Sequence, residues 1–579
     1  MRQHVGTKTC RRLAHARWGT ILGMRSRCVG CAKNSSIAEF SRIPGQHLGS
    51  RRNINFKTVF QPQRDDGDID ETNIPLDTIM KMMVPLRPYS VLTLVLMLTL
   101  AAGDKTFAAD NTQPNIVLIF TDDQGYGDVG CFGATDVKTP NMDLLAKEGR
   151  RFTDFYVAQA VCTASRAALM SGCYPNRVSL SGALNHTSTV GIHPDELLLP
   201  ELLKQKGYAT AIFGKWHLGT APEFLPPNNG FDEFLGIPYS NDNTKYHPVL
   251  AGLMPPLPLY DGPEVIELDP DQARFTRRFT ERAVSFIATN KDKPFFLYVP
   301  HVMPHVPIFA SEKFTGQSAR GLYGDVIEEL DWSVGEILNA LTKHHLDEKT
   351  LVIFMSDNGP FLSYGDHAGS AGILREGKLT SFEGGVRTPC LMRWTGTIPA
   401  ATTCSEPAGT IDLLPTIATL VDGKLSDRKI DGRDIRPLLL GEPNAKSPHD
   451  ALFVYAADEL QAVRSGDWKL HFAHDYLTAA GPPGRNGKPS NFENLKPASI
   501  TQSGIQGIAT RHGYKVAHIE LALFNMKTDP GEKTNVADQH PEVVARLSKL
   551  AERIRGELGD GITGTKGVEI RAAGDVAVK

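Results

Sequence analysis

Two apolar runs end in acid. NIVLIFTDDQG carries Asn115–Phe120 straight into Asp122 and Asp123, and LVIFMSDNG carries Leu351–Met355 into Asp357 and Asn358. Continuous β-branched runs of this kind read as strands buried on both faces, hence parallel and central. In open α/β sheets, ligands collect outside the carboxyl ends of the strands. Neighbouring strands ending this way would aim three carboxylates and one amide at one place, and like charges that close need a cation between them. All the donors are oxygens, which favours a hard divalent ion, Ca²⁺ or Mg²⁺, over zinc. Either motif alone reads more simply as a strand running into an Asp-rich turn. The two together favour the metal.

Four further places carry residues that could act on a substrate. VCTASRAALMSG, 161–172, sets Cys162 at or near the start of a short apolar helix, with Arg166 one turn in. A helix N-terminus attracts anions and lowers a thiol pKa, and arginine adds a fixed forked charge. Spacing alone nevertheless reads Cys162 as a buried cysteine on a core helix. GKWHLG ends another strand, with Lys215 and His217 two apart and so on one face. A cation there calls for an anion to meet it, whereas His217 by itself reads as a satisfied core histidine. His305 lies between Pro304 and Pro307, a stiff extended segment, and His301 is a rival that spacing leaves open. Lys378 follows Gly377 on a polar turn, where a solvated lysine is the ordinary reading.

Taken in order, these blocks resemble the type I, formylglycine-dependent sulfatases. CTASR followed by AALMSG is similar to their signature C-x-(P/A)-S-R, with Ala164 standing where many members have proline. NIVLIFTDDQGYGDVGCFG, GKWHLG, PHVPIF, SDNGP and GKLTSFEGGVRTP follow in family order. FLPPNNGFDEFLGIPYSND and RGLYGDVIEELDWSVG look like the arylsulfatase A, or cerebroside-sulfatase, branch. The resemblance implies hydrolysis of a sulfate monoester on a sugar, lipid or aryl group. It also implies that a formylglycine-generating enzyme reads CTASR and converts Cys162 to formylglycine. Asp122, Asp123, Asp357, Asn358 and residue 162 would hold one Ca²⁺, with Mg²⁺ the lesser alternative. Arg166 would hold the formylglycine hydrate. Lys215, Ser240, His305 and Lys378 would bind the sulfate, His217 would act as base, and His305 or Lys378 would protonate the leaving alcohol. A phosphatase or phosphonate hydrolase of the same fold is disfavoured by oxygen ligands for one metal only. A non-catalytic binder of sulfated glycans is disfavoured by the intact cysteine motif. Specificity is expected in loops such as 241–271 and 474–515.

Positioning such a site calls for a large α/β unit. Strand patterns at 115–120, 209–219, 294–301 and 350–359 alternate with helical ones at 200–206, 271–289 and 324–343. This predicts a large, mostly parallel sheet sandwiched by helices, an alkaline-phosphatase-like α/β architecture. After about residue 445 short alternating strands, a Gly/Pro-rich loop and a closing amphipathic helix predict a small α+β subdomain with an antiparallel sheet. The expected division is an N-terminal extension at 1–79, a signal peptide at 80–109, a catalytic domain at 110–445 and a C-terminal subdomain at 446–579. The signal reading rests on Lys81 and Arg87 before the apolar run Val91–Ala102, with small residues near Ala108. It predicts a secreted or periplasmic protein without a stable membrane anchor. The five cysteines beyond it are an odd number, so at least one stays unpaired. A net charge of −3 over 579 residues offers no basic face for nucleic acid.

Overall fold

The computed structural model describes residues 113–497 and 504–578. The expected extension at 1–79 and signal peptide at 80–109 lie outside the described residues. Among the described residues, no helix is long and apolar enough to cross a membrane.

Ten strands form one mixed sheet: β1 (Asn115–Thr121), β2 (Arg150–Phe152), β3 (Ala209–Lys215), β4 (Glu233–Ile237), β5 (Pro258–Asp261), β6 (Glu264–Leu268), β7 (Phe295–Pro300), β8 (Thr350–Ser356), β9 (Cys390–Arg393) and β10 (Thr402–Cys404). They lie in the order β10-β2-β9-β8-β1-β7-β3-β4-β5-β6. The five in the middle, β8 to β4, are mutually parallel, and antiparallel pairing is confined to the flanks. All seven residues of β1 and of β8 are buried, as their unbroken apolar runs require for strands covered on both faces.

The two covers are distinct. On one face α1 (Pro140–Glu148), α4 (Phe275–Asn290) and α5 (Leu322–Lys343) pack on Val117, Ile119 and Phe354. On the other, α2 (Cys162–Ser171), α3 (Leu199–Gln205) and α6 (Leu413–Leu420) pack on Ile116, Leu118 and Ile353. Alternate residues of one strand therefore enter opposite cores, the period of two expected of a pleated strand.

After residue 445 four antiparallel strands, β11 (Leu452–Ala456), β12 (Glu459–Ser465), β13 (Trp468–His471) and β16 (Ala522–Asn525), form a second sheet, with a ribbon of β14 (His474–Ala479) and β15 (Tyr514–Ile519) beside it. Helix α7 (Gly504–His512) precedes the ribbon's second strand, and α8 (Pro541–Leu558) covers the sheet through Leu547, Ala551 and Ile554. This is the antiparallel α+β region that the alternating pattern predicted.

Candidate active site

β1 and β8 pair in register through Thr121 and Ser356, so both strands end at the same level. The Asp357 amide donates to Thr121 O at 3.0 Å, which sets Asp357 beside Asp122. Strand alternation would send Asp122 and Asp123 to opposite faces. Asp123 avoids this with φ +65°, a left-handed conformation that aspartate tolerates better than most residues. Both carboxylates therefore reach one cluster. Ligand atoms of Asp122, Asp123, Cys162 and His305 all lie within 4.8 Å of one another, and all four residues are buried.

Cations already answer the carboxylates. Lys215 Nζ lies 2.5 Å from Asp122 Oδ2, and Lys378 Nζ lies 2.7 and 2.9 Å from the two oxygens of Asp123. Arg166 donates from Nε and Nη2 to Asp357 Oδ2 at 3.1 and 2.8 Å, and from Nη1 to Lys215 O at 2.8 Å. Burial raises the Asp122 carboxyl, but the Lys215 ammonium and the Arg166 guanidinium override it and hold the group well below its usual range. Burial and the Asp122 charge push Asp357 up to about 7, against the pull of the Arg166 guanidinium that donates to it twice.

The residues fit a hard cation. Asn358 Nδ2 donates to Asp123 Oδ1 at 2.7 Å, leaving Asn358 Oδ1 buried without a hydrogen-bond partner. A buried acceptor left bare is costly unless something positive meets it. Asp357 is the least available donor, since Oδ1 accepts the Asp123 amide and Oδ2 accepts Arg166. His305, which the sequence placed with the sulfate, lies inside the ligand cluster.

Cys162 opens α2, whose ten residues are all buried and which Gly172 closes with φ +67° and an amide bond to Ala168 O. Its Sγ lies 3.4 Å from Asp122 Oδ1 and 3.4 Å from Lys378 Nζ. The helix N-terminus predicts a lowered thiol pKa. Instead, burial and the Asp122 charge push the thiol well up.

His217 does not share a strand face with Lys215. β3 ends at Lys215, and His217 has φ +65°. Its Nε2 donates to Leu184 O at 2.8 Å, and its Nδ1 is buried with no partner. Burial and Lys215 pull its pKa well down, so the ring is neutral and Nδ1 is a bare base. Between the two histidine rivals the structure places His305 here. Its Nδ1 donates to Val306 O at 2.5 Å, and its Nε2 stands 3.5 Å from Ser240 Oγ and 3.6 Å from Asp123 Oδ2. His301 turns instead to Ser333 Oγ on α5, at 3.0 Å. Ser240 Oγ is 3.3 Å from Lys215 Nζ, which brings it into the same group.

Lys378 is not a solvated turn residue but is 4% exposed. Burial alone would lower its pKa, but Asp123 and its neighbours hold the ammonium well above the usual value. The turn is fastened three residues on. Lys469 of β13 donates to Ser381 O at 2.7 Å and pairs with Glu383 and Glu532 at 2.9 and 3.0 Å, all three charged groups fully buried.

Cys162, His217, Ser240, His305 and Lys378 share a cavity of about 510 Å³. Its walls include residues that motif reasoning did not select: Asp242, Phe361, Tyr455, Leu477 and His512. Asp242 stood two positions after Ser240 in the quoted SND block, a usable signal. Leu477 and His512 fall in the 474–515 segment where specificity was expected, whereas Phe361 and Tyr455 had no local pattern to mark them.

The five described cysteines are all free thiols. Cys390 and Cys404 both lie opposite Phe152, on the strands either side of β2, too far apart to join.

Comparison with known proteins agrees with this geometry. A family profile described as Sulfatase matches residues 114–423, and one described as the C-terminal region of aryl-sulfatase matches 447–566. Arylsulfatase A of Bos taurus is 41% identical over 482 residues, covering 79% of this chain and 89% of that protein. N-acetylgalactosamine-6-sulfatase of Canis lupus familiaris is 39% identical over 485 residues, with the same two coverages of 79% and 89%. Among solved structures, the PsFucS1 sulfatase from Pseudoalteromonas sp. superposes with a TM-score of 0.66 at 27% identity, covering 81% of this chain and 94% of that one. The fold, the strand-end cluster and these similarities lead to one conclusion: the chain belongs to the sulfatase family and is a sulfuric ester hydrolase.

Proposed function

We propose that this chain hydrolyses sulfate monoesters by way of a formylglycine made from Cys162, beside one Ca²⁺ held by Asp122, Asp123, residue 162, Asp357 and Asn358. The observation that carries the reading is the buried cluster of Asp122, Asp123, Cys162 and His305, beside which Asn358 Oδ1 and His217 Nδ1 are acceptors without a hydrogen-bond partner. Cys162 Sγ marks the place of the modified residue's oxygen. Converted to the aldehyde and hydrated by one water, residue 162 would carry two hydroxyls on one carbon, one to displace the alcohol at sulfur and the other, on losing its proton, to expel sulfate and restore the aldehyde. The cation, when bound, adds positive charge to the sulfate oxygens, and an oxygen-donor set suits calcium best.

This chain's own residues do the rest. Lys215, Ser240, His305 and Lys378 surround the place next to Sγ where the sulfate group sits. Their arrangement precedes the reaction, so little reorganisation is needed as charge develops. Arg166, anchored by Asp357, lends fixed positive charge behind residue 162. His217 Nδ1 accepts the proton of the second hydroxyl. Neutral His305 carries its proton on Nδ1, directed at Val306 O. Lys378 is therefore the group with a proton to give to the departing alcohol.

The same reading includes a formylglycine-generating enzyme acting on CTASR, export through the segment at 80–109 to the periplasm or outside the cell, and a division into a catalytic part at 110–445 and a C-terminal subdomain at 446–579. The test is mass analysis of the peptide carrying residue 162 in protein that releases sulfate from an aryl sulfate. Conversion of the CH2SH side chain to CHO replaces the sulfur by oxygen and removes two hydrogens, an oxidation that the modifying enzyme couples to an oxidant, and the resulting mass differs from both cysteine and serine. Full activity with an unmodified thiol would overturn the mechanism.

A further inference from the structure

The positive charge of the floor is already allotted. Lys215, Lys378 and Arg166 are matched by Asp122, Asp123 and Asp357. The walls above are different in character. Asp242, Asp458, Glu459 and Asp475 line the same cavity that ends on the unpartnered His217 Nδ1. Asp242 is almost fully buried and accepts from Asn243 Nδ2 at 2.9 Å. Asp475 pairs with His518 at 2.7 Å. Among the described residues no ion pair joins Asp458 or Glu459 to a cation. Glu459 accepts only from Gln461 Nε2, at 2.8 Å.

Positive groups on the walls are few. Arg511 stands near Asp242, and His512 is held neutral by burial and by Arg511. The remaining surface is largely apolar, with Leu184, Leu477, Ile505 and Ile508 facing the cavity from three separate segments. Two of these, Ile505 and Ile508, come from α7, and Leu477 comes from β14.

The geometry points to a substrate class: a singly sulfated, otherwise uncharged alcohol with an apolar face, with Asp458 and Glu459 acting as specificity residues that reject a second anion. This rests on the sulfatase mechanism proposed above. A sulfate or carboxylate carried elsewhere on the substrate meets carboxylates on the cavity wall, where Asp458 and Asp475 are exposed and Glu459 is half-buried, so the repulsion is screened by water, sensitive to salt, and selects by exclusion. Neutral hydroxyls meet the same carboxylates as hydrogen-bond donors. Multiply sulfated or uronate-containing glycans are therefore poor substrates.

A matched pair tests this: 4′-carboxybiphenyl-4-yl sulfate and its carboxamide, which differ in one charge and hardly in shape or leaving group. The expected result is a kcat/KM at least about tenfold higher for the amide, most of it in KM, and a gap that narrows as salt is raised. In Asp458→Asn/Glu459→Gln the gap narrows as well. Equal rates on acid and amide in the wild type, or an unchanged ratio in the double variant, overturn the inference. Because the salt series uses the wild type alone, it decides the question even if the double variant does not fold. Failure to release sulfate from either compound counts instead against the proposed mechanism, so the two readings fail separately.

Discussion

Replacing Lys378 by methionine removes a charge and little volume. At 2.7 Å from Asp123, the lost attraction is about 6 kcal/mol at an effective dielectric of about 20. Desolvation of both groups offsets part of that, and breaking a buried pair typically leaves a net cost of about 3–5 kcal/mol. Asp123, 2% exposed, retains Asn358 Nδ2 at 2.7 Å and His305 at 3.6 Å. These do not replace a full positive charge. A divalent cation in the cluster does, so the destabilisation should be largest in chelator and should shrink when calcium is added, because a ligand that binds only the folded state stabilises it. Thermal unfolding of wild type and variant, each with EDTA and with excess calcium, gives the four values needed. Activity tells a different part of the story. Calcium restores the fold but not the proton donor, so sulfate release should stay down by about 10²–10³-fold. The reasoning is refuted if the two proteins melt together in chelator, or if the calcium-loaded variant keeps activity within about threefold of wild type, less than one preorganised contact supplies.

Three further outcomes are expected. Cys162→Ser, nearly isosteric, should melt close to wild type yet release no sulfate in steady state, because an unmodified serine has one hydroxyl and no second to free the sulfate; turnover at the wild-type rate would contradict the two-hydroxyl mechanism. Lys469→Met leaves the buried Glu383 to Arg387 and Glu532 to His471, with no cation between the two carboxylates, and should cost about 3 kcal/mol, read as a loss of denaturation midpoint, with a neutral effect counting against the network as an anchor. His301 is fully buried, and burial lowers its pKa to about 3, against about 6.5 unfolded. A depressed histidine binds fewer protons folded than unfolded, so its contribution is present above about pH 6.5 and is lost as pH falls toward 3. His301→Gln should therefore flatten the acid slope of the melting temperature below pH 6, and an unchanged slope would place the titration elsewhere.

The parts of the site nearest the sheet were the most legible. Asp122, Asp123, Asp357 and Asn358 follow unbroken apolar runs, and a buried strand must deliver whatever follows it to the sheet's edge. The antiparallel C-terminal sheet showed itself by its alternation. What stayed hidden depends on single backbone angles or on distant packing. No periodicity announces that His217 leaves its strand at φ +65°, and the strand rule applied to it was the wrong rule. Lys378 looked solvated because the groups that bury and fasten its turn, Phe361 on one side and Lys469 on the other, are remote in sequence. Spacing read Cys162 as a buried cysteine on a core helix, which it is; the acidity that a helix N-terminus would lend is reversed by that burial and by the Asp122 carboxylate at the end of β1. The cavity walls combine segments more than three hundred residues apart, so their acidity could not be read from any local stretch.

The burial of α2 sets an order of events. All ten residues of the helix are buried, and Cys162 keeps 2% of its surface. Another enzyme cannot draw that thiol into its own active site without first unwinding a helix packed between the sheet and the core of α6. Any conversion of residue 162 must therefore be finished while the segment is still an extended, unpacked chain. A molecule that folds first locks its own precursor away. If activity depends on the proposed conversion, the proportion of working enzyme in a preparation records a race between modification and folding, fixed at synthesis and beyond correction by treating the finished protein.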